Sequence, residues 1–212
     1  IIDLGGDETP SGVWEKSPKV LAFMKENGIN NVMDVWPLYI TKINKLVQDK
    51  GLIMSGWEEM GMRNKGEGMQ VNAELGKSDI HLNVWNNLPG QGQEDLAYKL
   101  ANAGYKVVYT SAANNYLDMS WDRDFADPGH SWVGTVNLNR TYSFAPENFF
   151  INLRKDDTGK DLVKEAYTNK EQLTAEGKKN LLGIKGALWA EKVSTDQRLE
   201  EMIFPRLIAI AD

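Results

Sequence analysis

Cysteine is absent from this chain of 212 residues. Disulfides and thiolate metal sites are therefore excluded, while the compartment is left open. Histidine is scarce, with 2 in the whole chain. His81 falls on the polar side of a strand and reads as a hydrogen-bonded structural residue. His130 lies in a loop without a ligand cluster around it and reads as incidental. No metal and no cofactor are expected. No run of about eighteen apolar residues occurs, so no membrane span is expected. Basic stretches are missing as well. The chain has 24 Lys and Arg against 30 Asp and Glu, a net charge of −6, and nothing resembling a nucleic-acid-binding stripe. Repeats and low-complexity tracts do not occur.

What is present is an ordinary globular composition, 42% hydrophobic and 25% charged, with enough apolar material for a sizeable core. The 8 methionines read mostly as gap-fillers in that core. The 7 tryptophans are a high count, and an indole is a costly core filler because its N–H needs a partner. The chain opens on Ile1, inside what reads as a strand, with no signal peptide visible. It reads as a piece of a longer protein.

Strands and helices alternate. Ile1–Leu4 is a strand. Ser17 caps a helix over Pro18–Asn27 that stops at Gly28. Apolar spacing predicts a second helix over Trp36–Lys50. Leu52–Trp57 is a strand, 60–78 a long polar, glycine-rich loop, and Ile80–Trp85 a strand. Gln93–Ala103 is a helix and Lys106–Ser111 a strand. Residues 112–147 show few regular signals, and a loop of that length is usually functional. Short helices are expected near 160–166 and 169–180, with Thr168 and Glu171 as a capping box. Leu182–Trp189 is a strand. Ser194 and Gln197 form another capping box and open a last helix kinked at Pro205.

Such alternation means parallel βαβ units, in either an open doubly wound sheet or a β/α barrel. The strand faces favour the barrel. Ile80, Leu82 and Val84 lie opposite His81, Asn83 and Trp85. Leu182, Ile184, Leu188 and Ala190 lie opposite Lys185, Trp189 and Glu191. A strand with helices over both faces would be apolar on both. A polar second face fits a barrel lining, with functional groups at the C-terminal strand ends.

Those ends share a pattern. The first strand leads into Asp7-Glu8. The others lead into Trp57-Glu58-Glu59, Trp85-Asn86-Asn87, Tyr116-Leu117-Asp118 and Trp189-Ala190-Glu191. Singly, each reads as a solvated turn or a packing residue. Jointly, at five strand ends of one barrel face, they describe a cup walled by aromatics and rimmed by carboxylates. Such a cup suits a sugar, whose C–H faces stack on indole and whose hydroxyls donate to carboxylates. Cleaving a glycosidic bond also needs a protonated acid beside the leaving oxygen, which Glu8 or Asp7 would supply. The Gly5-Gly6 pair would relax strand alternation, so that both acids reach one cup.

The stretch LGGDETP resembles the His-x-Gly-Gly-Asp-Glu motif of glycoside hydrolase family 20, the β-N-acetylhexosaminidases and chitobiases. GWEE, NVWNN, NNYLD, PGHSW, TYSFAPENF, GALWAE and FPRLIAIAD follow in the family's order, so the resemblance spans nearly the whole chain. It implies that residues 1–212 are the C-terminal portion of a single barrel catalytic domain, a partial TIM (β/α)8 barrel. That portion would run from about strand 4 through helix 8, with a long loop insertion at about 112–147. It implies hydrolysis of terminal non-reducing β-linked N-acetylhexosamine, GlcNAc or GalNAc, from chitobiose or glycans. The mechanism would be retaining and substrate-assisted, through an oxazolinium intermediate.

By the same resemblance, Glu8 is the general acid, Asp7 holds the acetamido N–H, and Tyr116 donates to the acetamido oxygen. Trp57, Trp85 and Trp189 wall the pocket, Asp118 and Glu191 bind outer hydroxyls, and Trp132 stacks on the next sugar. Asp3 stands where the family motif has histidine. The implied partners are an N-acetylhexosamine-containing oligosaccharide and the N-terminal half of the barrel, which would bring the family's sugar-gripping arginine. The resemblance suggests a secreted, periplasmic or cell-surface protein. The competing readings are a non-catalytic carbohydrate-binding fragment and a barrel hydrolase with a conventional nucleophile.

Overall fold

The computed structural model describes residues 1–10, 12–64, 69–153, 155 and 160–212. Seven strands are described: β1 (Ile2–Asp3), β2 (Met54–Trp57), β3 (Met62–Asn64), β4 (Met69–Val71), β5 (Ile80–Val84), β6 (Lys106–Tyr109) and β7 (Leu181–Ile184). Five of them form one parallel sheet in the order β1-β2-β5-β6-β7. The order never reverses, so each new strand adds at the same edge, unlike a doubly wound sheet. Helices α1 (Pro18–Glu26) and α2 (Val35–Gln48) connect β1 to β2, and α3 (Leu96–Asn102) connects β5 to β6. Ser17 caps α1 by accepting from the Val20 N–H, and Gly28 ends it at φ +64°.

The two faces of the sheet differ as expected. Met54, Ile80, Leu82, Val84, Val107 and Tyr109 are fully buried and pack against Ile40 and Val47 of α2 and Leu96 and Leu100 of α3. The opposite face carries a polar chain. Asp3 Oδ2 accepts from Ser55 Oγ (3.2 Å) and Asn83 Nδ2 (3.1 Å), and Asn83 Oδ1 accepts from Lys185 Nζ (3.2 Å). These links cross from β1 through β2 and β5 to the segment after β7. His81 has a polar neighbour, with its Nε2 3.4 Å from Asp79 Oδ1. Six methionines (24, 54, 60, 62, 119 and 202) are buried, in keeping with a gap-filling role. No helix among the described residues is long and apolar enough to cross a membrane.

Several expectations are corrected. The loop expected at 60–78 contains the antiparallel pair β3–β4 and a turn of 3-10 helix at Leu75–Lys77; its residues 65–68 lie outside the described residues. Tertiary bonds hold this segment, for Tyr105 Oη donates to Asn72 O (2.7 Å) and Gly61 O (3.3 Å). Residues 112–147 contain α4 (Ala112–Asn115) and α5 (Leu138–Tyr142).

The helix expected near 160–166 is a 3-10 turn at Lys164–Tyr167, and the one expected over 169–180 shrinks to α6 (Ala175–Lys178). The Thr168–Glu171 capping box does not form. The Glu171 N–H donates to Asp95 Oδ2, and Thr174 caps α6 while Asn102 Oδ1 accepts from its N–H and hydroxyl. Contacts with the α3 hairpin thus override a local signal.

The Ser194–Gln197 box is displaced by one residue. Thr195 caps α7 (Asp196–Ile203), and Pro205 separates it from α8 (Arg206–Ala211). Leu182 does not share a face with Ile184. The register slips from Val107↔Leu181 to Val108↔Gly183, so Leu182 bulges out and is 49% exposed.

Arg206 explains how the long 112–147 segment is held. It is fully buried and donates to the carbonyls of Leu117, Met119, Val136 and Met202, with its guanidinium 4.3 Å from the Trp121 ring centre. Beneath it, Leu88, Ala112, Ala113, Tyr116, Met119, Val133 and Val136 make a second small core.

Candidate active site

The chain leaves β1 through Gly5 and Gly6, at φ +68° and +92°, and reaches Glu8 at φ +48°. Glu8 is the one non-glycine in the left-handed region among the described residues. The glycines are required by close approach. A Cβ on Gly6 would lie 2.5 Å from Met60 Cγ, and one on Gly56 would lie 2.5 Å from Gly5 O. Asp3, at the position of the motif's histidine, accepts from the Gly5 N–H (3.0 Å), and Trp57 N donates to Gly5 O (2.9 Å). This turn breaks strand alternation, and Asp7 and Glu8 line the same cavity.

The cavity encloses about 570 Å³. Trp85, Tyr116, Trp132, Trp189 and Glu191 line it with the two acids, as do Asn86, Leu88 and Gln91. Four strand ends therefore converge there. Tyr116 arrives because its segment bridges to Ala187, with Leu117 N donating to Ala187 O (2.7 Å). The aromatic rings form one arc. Successive centroid distances are 6.0 Å for Trp57–Trp189, 5.8 Å for Trp189–Tyr116, 6.1 Å for Tyr116–Trp132 and 6.0 Å for Trp132–Trp85. A second cavity of equal volume lies beside Tyr98, Phe150 and Tyr167, but its one carboxylate, Glu147, is paired with Lys178.

Two expected residues stand outside the lining. Trp57 backs the arc, with Lys185 Nζ 5.5 Å from its ring centre. Asp118 is 1% exposed behind Tyr116, with Oδ1 lacking a hydrogen-bond partner among the described residues. Burial holds its carboxyl above the usual range, while N–H groups of Asp118 and Trp189, and His130, pull it back. The His130 backbone bridges the segments on either side of it. Its N–H donates to Asp118 O (2.9 Å), and its carbonyl accepts from Ser120 N (2.7 Å).

Glu58 and Glu59 received no role from the sequence, although they follow a strand end as Asp7 and Glu8 do. That shared position was the signal available. Glu58 is 1% exposed and accepts from the N–H groups of Trp85 (3.3 Å) and Asn86 (3.0 Å), tying β2 to the end of β5. Burial pushes its carboxyl up to about 8, against three backbone N–H bonds and with a small addition from Glu59. Glu59 accepts from Glu8 N (3.1 Å). Among the described residues, no group of three or more His, Cys, Asp or Glu has the arrangement of a metal site.

A cavity with adjacent carboxylates, a buried tyrosine hydroxyl and an aromatic wall can grip a polar ring, donate a proton and orient a neighbouring group. The family model of the glycosyl hydrolase family 20 catalytic domain matches residues 1–212. A β-hexosaminidase of Vibrio vulnificus is 31% identical over 99% of this chain and 24% of its own length. An N,N'-diacetylchitobiase of Vibrio harveyi is 24% identical over 99% of this chain and 22% of its own. The chain thus spans about a quarter of the relatives it matches. Among solved structures, a Vibrio harveyi family 20 exo-β-N-acetylglucosaminidase in complex with N-acetylglucosamine superposes with a TM-score of 0.69. It is 25% identical, over 99% of this chain and 27% of that one. With its parallel α/β sheet, its acid pair after the first strand and a family match over its whole length, the chain belongs to glycosyl hydrolase family 20.

Proposed function

We propose that this chain is the C-terminal part, about strand 4 through helix 8, of the TIM barrel of a β-N-acetylhexosaminidase. The enzyme removes terminal β-linked GlcNAc or GalNAc from chitobiose or glycans. The observation that carries this reading is the convergence of Asp7, Glu8, Tyr116, three tryptophans and Glu191 on one cavity of about 570 Å³. The unreversed strand order supports the barrel part of it.

The substrate's 2-acetamido oxygen attacks the anomeric carbon, forming the oxazolinium ring as the glycosidic C–O bond breaks. Glu8 gives its proton to the departing oxygen and then takes one from the water that opens the ring. Asp7 accepts the acetamido N–H and balances the positive charge that develops there. Tyr116 donates its hydroxyl to the acetamido oxygen. Burial, with Glu58 beside it, keeps that hydroxyl protonated far above neutrality, so it is a donor at working pH. Trp189 and Trp85 wall the terminal sugar, with Trp57 behind them, Glu191 serves its outer hydroxyls, and Trp132 stacks on the next sugar; Asp118, buried outside the lining, makes no contact with the sugar here.

Assay of the complete protein on a chromogenic β-GlcNAc substrate tests the reading. Wild type turns over, Glu8→Gln is expected to lose at least about a hundredfold in kcat while still binding sugar, and a thiazoline analogue of the oxazolinium ion inhibits. Full turnover by Glu8→Gln would remove the acid assignment. Indifference to the thiazoline would point to a conventional nucleophile.

A further inference from the structure

Glu8 lies in a backbone conformation that is costly for a non-glycine residue and persists only when its surroundings impose it. The surroundings here are specific. Gly5 O accepts from Trp57 N on one side of the turn, and Glu59 Oε1 accepts from Glu8 N on the other. Both partners sit at the end of β2, separated by Glu58. Glu59 is half-buried, and its backbone carbonyl accepts from Trp36 Nε1 (3.0 Å), which fixes its own position against α2.

We propose that Glu59 is a positioning residue for the reaction. It holds Glu8 in its left-handed turn and sets a second negative charge beside the acid–base carboxyl group. This role rests on the reading of Glu8 as the acid. The N–H groups of Glu8 and Thr9 favour the ionised form of Glu59, against burial and the charges of Asp7 and Glu8, which together raise its carboxyl. The titratable and charged groups facing this corner are otherwise Asp7 and Glu8 from the first loop, Glu58 on its own turn, Tyr116 and Glu191 across the cavity, and Lys185 over Trp57. A carboxylate neighbour favours the protonated form of an acid, so removing it makes the proton easier to lose.

The experiment is kcat and KM against pH for the complete protein and its Glu59→Gln, Glu59→Ala and Glu8→Gln variants, with thermal melting as the fold control. Glu59→Gln keeps an acceptor for Glu8 N–H but not the charge. The basic limb of its kcat/KM profile moves down by about half a pH unit or more, with KM within twofold of wild type. Glu59→Ala loses the acceptor as well, and its kcat falls about tenfold or more at little-changed KM. A Glu59→Gln profile matching wild type would overturn the proposal, even if Glu59→Ala failed to fold. So would a folded Glu59→Ala that kept kcat within twofold. A fully active Glu8→Gln would remove the acid assignment and this role with it. An inert Glu8→Gln beside a wild-type Glu59→Gln profile would remove this role alone.

Discussion

Tyr116 and Glu58 show how burial sets the chemistry of single residues. Tyr116 is 4% exposed and takes a hydrogen bond from Trp189. On the proposed mechanism, removing its hydroxyl takes away a donor matched to charge that develops during reaction, not to ground-state binding. Tyr116→Phe is therefore expected to lower kcat about a hundredfold with KM little changed, read from steady-state kinetics. Glu58 carries a stability signature. Its folded value of about 8 stands above the ordinary 4.5, so the folded state holds a proton that the unfolded state has lost. Its contribution is complete below about 4.5 and is lost as pH rises through about 8, at up to ~1.4 kcal/mol per pH unit. Glu58→Gln should flatten that decline. Melting temperatures at pH 5 and 8 measure it, and an unchanged slope would show that another group is responsible.

At the scale of elements, the stretches that reach the site are held by tertiary anchors far off in sequence. Arg206 ties residues 117–136 to the last helix through the carbonyls of Leu117, Met119 and Val136, with a fourth bond to the Met202 carbonyl of α7, and burial draws its guanidinium down to about 10, still charged at neutrality. Arg206→Met leaves those carbonyls without their donor, and a loss of at least about 3 kcal/mol is expected in denaturant titration. Gly56→Ala drives a methyl group into Gly5 O and Met60 Sδ. It should cost about 1–3 kcal/mol and lower activity more than Glu59→Gln does, because it displaces the acid pair itself. Elements with strong periodicity were legible beforehand. α1, α2 and four of the parallel strands lie within a few residues of their expected bounds, while β7 stops at Ile184, well short of the expected Trp189. The β3–β4 pair, α6 and the true cap Thr195 were not, because their partners are far off in sequence or compete with an equally good local signal.

On the scale of the whole molecule, among the described residues β1 pairs only with β2 and β7 only with β6, leaving an unpaired edge on each side. Ile1, Ile2 and Leu4 are exposed along the first edge, and Leu182, Phe204 and Ile208 on or after the second strand. Parallel barrels close such edges, and open ones invite association. Expressed alone, residues 1–212 are expected to run larger than a monomer on size exclusion and to show no turnover. On the proposed partial-barrel reading, supplying three further βα units on the N-terminal side should give a monomer that turns over. A monomeric, active 212-residue chain would contradict the partial-barrel reading.

The sequence by itself determined the alternation of strands and helices, the polar second face of the sheet, and which residue types end each strand. Those follow from side-chain period and local backbone preference, which act between near neighbours. Only the tertiary structure decided that Asp118 lies behind the cavity, that His130 packs on it, and that Glu58 and Glu59 brace the site. Only there did Leu182 leave the core through a bulge. Each of these depends on a register or a hydrogen bond between residues far apart in the chain, where burial and competing partners outweigh what a side chain would do alone.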